Sequence, residues 1–440
     1  MHVMSNREKE RDSSTMPCGG RPETATAAGG AGAASPAEQT SAAAMDRGQC
    51  ASGREEKLRV LILSAPIGSG HRMAALALEQ ALEKAGGVEV VQGNVFDFFP
   101  RFLGSGFLSL YRKVLTFCPA LYAFSYRLGN RSGGSLFLRN AMNRLFLWMG
   151  RPFLERVRPQ VVLSTHATPT GILSCYKKER PGFFLGVVVT DFTVHRWLLC
   201  PGVDAYFLGA ESLVDRVRDM LPASYGEPEL EATGIPLRQR FVDMDSSGER
   251  FRALRRRMGW AEDAFVCLLL GGGDGLLPMK SLLGILDRPE MDKVHLVAVT
   301  GNNRELEEEL RRLAEERHAS RVSVRGFVED LPDMLAAADA VVSKAGGLTA
   351  AECLASGTPL VIYNPLPGQE AANTMFLLQQ GCARAAYTVE EVAGRLEELL
   401  ELAPEERRER KALRRLEYGH PDAADRIVSY ILKKENERES

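Results

Sequence analysis

Residues 340–352 read Ala340-Val341-Val342-Ser343-Lys344-Ala345-Gly346-Gly347-Leu348-Thr349-Ala350-Ala351-Glu352, and Gln369-Glu370-Ala371-Ala372-Asn373 follows. A short apolar run meets a small-residue turn and then a helical pattern, the strand-to-helix step of a doubly wound parallel sheet. Glycines at such a turn let a phosphate approach bare backbone N–H groups at the positive end of a helix. Gly346, Gly347, Leu348 and Thr349 occupy that position. Glu352, one and a half turns on, is placed to accept hydrogen bonds from ribose hydroxyls. Gln369, Glu370 and Asn373 are spaced to reach a second polyhydroxylated group. A Gly-Gly helix start alone also serves tight strand–helix packing; the polar partners two segments later point instead to a nucleotide-sugar site.

The chain of 440 residues is long enough for two domains. Its 45% hydrophobic and 25% charged residues are ordinary for a globular protein, and a net charge of −2 does not suggest a nucleic-acid partner. Eight cysteines are scattered without a CxxC pair. Cys267 and Cys353 lie in apolar runs and read as core residues, so a reduced compartment fits better than a disulfide framework or a zinc site. Residues 1–57 are rich in Ala, Gly, Ser, Thr and Glu and are expected to form a disordered tail, with Met45 a candidate initiator. No run of about 18 apolar residues occurs, so no transmembrane helix is expected.

Outward from the opening stretch, strand and helix patterns alternate twice. Leu58-Arg59-Val60-Leu61-Ile62-Leu63-Ser64 leads into Gly68-Ser69-Gly70-His71 and a helical pattern through Ala85, with further strands expected at 88–92, 160–164, 184–190 and 204–208. A second series starts at Phe265-Val266-Cys267-Leu268-Leu269-Leu270 and the triple glycine Gly271-Gly272-Gly273, with strands at 294–299, 321–325, 339–342 and 359–362. Such alternation predicts an α/β fold of parallel sheets. Two Rossmann-like domains facing a central cleft match the architecture called GT-B. We expect an acceptor- and membrane-binding domain over 58–240, a sugar-nucleotide domain over 241–415, and a C-terminal helix and tail over 416–440, with 235–250 as linker. Ligands of open parallel sheets bind beyond the carboxyl ends of the strands, where both glycine turns lie, facing one another across the cleft.

His71 directly follows the first glycine turn. A neutral imidazole there can take a proton from an acceptor hydroxyl; alternatively it bonds local backbone. No lysine follows, so the turn is not a P-loop. Asp191 ends the Val187-Val188-Val189-Thr190 strand and either orients a base, contacts the acceptor, or caps the next segment. His166 and His195 follow strands in the same ambiguous way. Backbone at Phe327 and Val328, after the 321–325 strand, is placed to pair with a base edge, unless Phe327 is simply a core anchor. Asp243-Met244-Asp245 has metal-binding spacing but sits in a polar linker and reads as a solvated loop. No catalytic metal or cofactor is expected.

Residues 96–150 are compositionally distinct. They hold 13 of the chain's aromatic residues, and 98–150 carries seven Arg or Lys and not one Asp or Glu. Basic charge interleaved with aromatics suits an anionic membrane surface; core helices with solvated arginines are the blander reading.

These motifs resemble the monogalactosyldiacylglycerol synthase and processive diacylglycerol glucosyltransferase family of glycosyltransferase family 28. The likeness spans about 58–415. It rests on Gly68-Ser69-Gly70-His71-Arg72, Ser164-Thr165-His166, Thr190-Asp191-Phe192-Thr193-Val194-His195, Thr233-Gly234-Ile235-Pro236, the triple glycine, Gly326-Phe327 and the 343–373 block. The resemblance implies inverting, metal-independent transfer of glucose or galactose from a UDP-sugar to diacylglycerol at the inner face of the cell membrane. His71 becomes the base. Backbone at 271–273 and 346–349 would hold the diphosphate, with Lys344 near the phosphates. Glu352 would hold the ribose, and Gln369 and Glu370 the sugar, with Asn373 in support. Segment 96–150 would face lipid. Transfer to another lipid-linked or soluble acceptor, a UDP-sugar 2-epimerase, and a non-catalytic UDP-sugar sensor are the alternatives.

Overall fold

The computed structural model describes residues 57–65, 69–98, 133–244, 248–317 and 320–439. The expected tail and most of segment 96–150 lie outside the described residues, as do Gly68 and Asp245.

Two six-stranded sheets, parallel at every pairing, account for the α/β reading. The first contains β1 (Leu58–Ser64), β2 (Val88–Asn94), β3 (Val161–Ser164), β4 (Phe184–Val188), β5 (Ala205–Leu208) and β6 (Glu229–Ala232), in the order β2-β1-β3-β4-β5-β6. The second contains β7 (Phe265–Leu270), β8 (Val294–Val299), β9 (Val322–Arg325), β10 (Ala340–Ser343), β11 (Leu360–Tyr363) and β12 (Ala383–Ala386), in the order β12-β11-β10-β7-β8-β9. Strand order reverses beside β1 and beside β7, and ligands bind at such reversals. The GT-B architecture expected from the sequence is therefore present.

Both faces of each sheet are covered, which is why these strands read as unbroken apolar runs. Alternate residues feed opposite layers: Leu61, Leu63, Leu185 and Val187 pack into one core, and Val60, Ile62, Phe184 and Phe207 into the other. The second sheet repeats this with Val266, Leu268 and Leu270 against Phe265, Cys267 and Leu269. Cys267 and Cys353 are fully buried, as expected.

Residues 235–250, read as linker, hold a short helix, Gln239–Val242, and the start of the helix Gly248–Met258. The helix Ala423–Glu439 returns to the first sheet. Ala424, Ile427, Val428 and Ile431 bury against Ala77, Leu78 and Ala81 of the helix Ser69–Ala85. At roughly 1.5–3 kcal/mol per fully buried Val or Ile, this docking is a substantial tie. It attaches the C-terminal end of the chain to the half that carries His71.

Candidate active site

The carboxyl-end loops of the two sheets meet. Gly347 opens the helix Gly347–Ser356 after β10, and a Cβ there would stand 2.2 Å from the Thr190 carbonyl oxygen and 2.7 Å from the Asp191 Cα. Only glycine admits that approach. Across the same gap, a Cβ on Gly70 would lie 3.5 Å from the Leu348 Cβ. Gly70 thus faces Leu348, while the triple-glycine turn lies beside Lys344, with a Gly272 Cβ 3.6 Å from the lysine Cε.

His71 sits in the first turn of the helix Ser69–Ala85, with three threonine or histidine neighbours. Its Nδ1 lies 2.9 Å from the Thr190 hydroxyl. Its backbone carbonyl accepts from the Thr165 hydroxyl at 3.5 Å. The His166 ring meets it edge-on, centroids 4.8 Å apart and planes at 85°. Burial depresses the His71 pKa to about 4, with a hydrogen bond to Thr165 backbone pulling the other way. Burial, and then the neighbouring His71, lower His166 to about 3. Both rings are neutral at physiological pH, and one proton on the pair discourages a second. His166 Nδ1 accepts from the Thr168 N–H at 3.2 Å, so the neutral ring carries its proton on Nε2. His195 makes the same local bond, accepting from the Trp197 N–H at 3.1 Å.

Asp191 points away from His71, towards the other half. Asn373 Nδ2 donates to its Oδ1 at 2.8 Å, Gln369 Nε2 donates to its Oδ2, and the Gly347 N–H serves the same carboxylate. The carboxylate therefore bonds groups of the opposite half, among them the first N–H of the helix Gly347–Ser356, instead of orienting His71. Desolvation nonetheless raises its pKa to about 6; the two amides and the Gly347 N–H oppose the rise, and Glu370 adds to it.

The remaining predicted residues cluster on the second sheet. Asn373 is fully buried; it also donates to the Ala345 carbonyl at 3.0 Å and accepts from the Phe192 N–H at 3.0 Å. Lys344 Nζ lies 2.9 Å from Glu370 Oε1, and Glu370 Oε2 accepts from the Leu366 N–H at 3.1 Å. Glu352 is buried and faces Arg238 Nη2 at 3.7 Å. Burial raises its pKa to about 7, against the pull of Arg238. Phe327 is 53% exposed, so it is not a core anchor. Asp243 accepts from Gln239 at 3.1 Å; among the described residues no group of three or more metal-ligating side chains gathers.

Sequence reasoning missed Thr190. It stood there as a strand end and as the first residue of the Thr190–His195 motif, with no role assigned, 119 residues from the imidazole it touches.

An imidazole on one sheet, opposite a glycine-started helix and a belt of amides and carboxylates on the other, is an arrangement that suits the GT-B class. Comparison with known proteins supports that class. Residues 71–237 match the family model described as monogalactosyldiacylglycerol (MGDG) synthase, and 279–415 the model described as glycosyl transferases group 1. Among solved structures, MurG of Acinetobacter baumannii aligns at a TM-score of 0.53 and 16% identity, covering 86% of this chain and 99% of that one. The lipopolysaccharide glycosyltransferase WaaG aligns at 0.51 and 13%, covering 85% and 99%. UDP-GlcNAc 2-epimerase of Neisseria meningitidis aligns equally well, at 0.53 and 15%, covering 86% and 100%, so the fold is common to transferases and epimerases. The chain has the GT-B fold, and each half matches a glycosyltransferase family model.

Full-length relatives narrow this. A processive diacylglycerol beta-glucosyltransferase of Bacillus cereus is 27% identical over 386 residues, 85% of this chain and 93% of the relative. Its counterpart in Bacillus subtilis is 26% identical over 349 residues, 78% and 87%. The chain is thus a relative of the monogalactosyldiacylglycerol synthase and processive diacylglycerol glucosyltransferase family, as its motifs implied.

Proposed function

We propose that the protein transfers a hexose from a UDP-sugar to diacylglycerol with inversion at the anomeric carbon. The observation that carries this reading is the position of His71: a neutral imidazole on the first sheet, beside the N-terminus of the helix Gly347–Ser356 on the second. Relatives similar over their whole length are named glucosyltransferases, which favours UDP-glucose, whereas the first-half family model is named for a galactosyl product.

Glu352 and Asn373 are buried at the interface, so the donor enters with the halves apart and is enclosed on closure. Backbone N–H groups at 346–349 and 271–273, with Lys344, hold the diphosphate; Glu352 holds the ribose; Gln369 and Glu370 hold the hexose, with Asn373 in support. Backbone at Phe327 and Val328 pairs with the base. The diacylglycerol hydroxyl attacks the anomeric carbon from the face opposite UDP. As the new C–O bond forms, the hydroxyl proton passes to His71 and the bond to the diphosphate breaks, UDP leaving with the electron pair. The helix end and Lys344 stabilise the charge that develops there. Closure around two substrates also lowers the entropic part of the barrier.

The protein works at the inner face of the cell membrane without spanning it. Among the described residues no helix is long and apolar enough to cross a membrane. The helix Gly133–Val157 exposes Met142, Leu145 and Trp148, with Arg144 also exposed. Apolar side chains beside basic ones suit an anionic bilayer.

The test is UDP release with UDP-glucose or UDP-galactose, with and without diacylglycerol in anionic liposomes. Release is expected only with diacylglycerol, and His71→Ala should lower kcat by at least about 100-fold, within the usual contribution of a general base. UDP affinity should be preserved. Release indifferent to diacylglycerol, or a His71→Ala variant at the parent rate, overturns the reading.

A further inference from the structure

We infer that Thr190 is a positioning residue for His71: its hydroxyl accepts the imidazole Nδ1–H and so presents Nε2 as the proton-accepting atom. The inference rests on the reading of His71 as base and adds the group that makes it one.

A neutral imidazole has one N–H and one lone pair, and only the lone-pair nitrogen can take a proton. A strand-end acid was the expected partner, but Asp191 turns to the opposite half and bonds Asn373 and Gln369. The side-chain oxygen at Nδ1 is that of Thr190, at 2.9 Å, and Thr190 is only 6% exposed. His166 does not substitute for it. Its Nδ1 is engaged by the Thr168 N–H, which leaves it an Nε2–H and no free lone pair with which to receive the proton of His71.

The ring is therefore restrained by the Thr190 hydroxyl at one nitrogen, by the edge-on His166 ring and by a bond to Thr165 backbone. Its backbone is fixed by Thr165. Without the hydroxyl the ring can rotate about its side-chain bonds and exchange tautomers, and the Nε2–H form does not function as a base. A hydroxyl carries no charge, so it fixes the tautomer without the ion-pair attraction that a carboxylate would add. That suits a buried site, where an unneutralised carboxylate would be costly.

Thr190→Val keeps the branched shape and removes the hydroxyl; Thr190→Ser keeps the hydroxyl and removes the methyl. Thr190→Val should lower kcat at least about tenfold, or 1.4 kcal/mol of barrier. The donor KM and UDP affinity should stay at parent values, and Thr190→Ser should recover most of the rate. A purely packing role predicts the reverse order of the two variants. Independently of activity, long-range 1H–15N spectra of histidine-labelled protein, with His71 assigned through His71→Gln, should show the Nδ1–H tautomer in the parent and in Thr190→Ser. Thr190→Val should show a mixture. If Thr190→Val does not fold, the parent spectrum still decides. An Nε2–H tautomer in the parent, or parent kcat in Thr190→Val, overturns the inference. If His71→Ala turns over normally, the functional reading fails instead.

Discussion

Replacing Asn373 by alanine tests how firmly the two halves are joined. The side chain is completely buried and makes three bonds: from Nδ2 to Asp191 Oδ1 at 2.8 Å and to the Ala345 carbonyl at 3.0 Å, and at Oδ1 from the Phe192 N–H at 3.0 Å. Truncation strands two buried backbone groups at about 1–3 kcal/mol each and removes a bond to a charged group worth about 1.5–3 kcal/mol. Water entering the vacated volume recovers part of this, leaving about 3–6 kcal/mol, a large share of the 5–15 kcal/mol typical of a folded domain. For a chain of this length about 1–2 °C of Tm accompanies each kcal/mol, so a fall of about 3–12 °C is expected in thermal unfolding at pH 7. Asn373→Asp sharpens the test. Its new carboxylate would face Asp191, whose pKa already stands at about 6 through burial. Two such groups share one proton when it is available, so this variant should be hurt more at pH 8 than at pH 5. An Asn373→Ala protein within about 1 °C of the parent, or an Asn373→Asp deficit equal at both pH values, would refute the reasoning.

Glu352 supplies a second prediction. Burial raises its pKa from 4.5 to about 7, so its contribution to stability is fully present below pH 4.5 and is lost as pH rises to about 7. Glu352→Gln should therefore gain on the parent across that window, by on the order of 3 kcal/mol above pH 7. Denaturant midpoints at pH 5 and pH 8 measure it, and an equal difference at the two would refute it. At the membrane, Leu145→Glu with Trp148→Glu should lower sedimentation with anionic liposomes at least about tenfold while UDP affinity is kept, since the pair is 56% and 73% exposed on one helix. Unchanged sedimentation would assign lipid contact elsewhere.

Strands with neighbours on both sides were readable because full burial forces an unbroken apolar run. Of the edge strands, β2 and β9 were readable as well, since each carries branched residues, but β6 and β12 were not. β6 reads Glu-Leu-Glu-Ala and β12 Ala-Arg-Ala-Ala, each pairs on one side only, and neither carries a run of branched residues. The 343–373 block was legible as a site because its glycines and amides lie within one βα unit and its neighbour. What those groups bond was not legible, since Asp191 is more than 175 residues from Gln369 and Asn373. Local chemistry also misleads inside charge runs. Arg255, within the run Arg255-Arg256-Arg257, is 1% exposed, paired with Asp339 and bonded to four backbone carbonyls.

Thr190 and Asp191 are adjacent and serve opposite halves. Successive side chains of extended backbone point to opposite sides, so a chain that sends residue 190 towards His71 sends residue 191 the other way. The two contacts respond differently to motion. The Thr190–His71 bond lies within the first sheet's own half and survives when the halves part; the bonds of Asp191 to Gln369, Asn373 and Gly347 span the gap and break. In the proposed reaction the base is therefore set before the donor arrives. The donor meets a helix end that Asp191 has just vacated, and its diphosphate replaces one anion with another at the same N–H groups. In that proposal the helix end is served by the Asp191 carboxylate where the halves meet and by phosphate once the donor is bound. The carboxylate displaced from it is then free, beside Thr190, to face the acceptor side of the cleft.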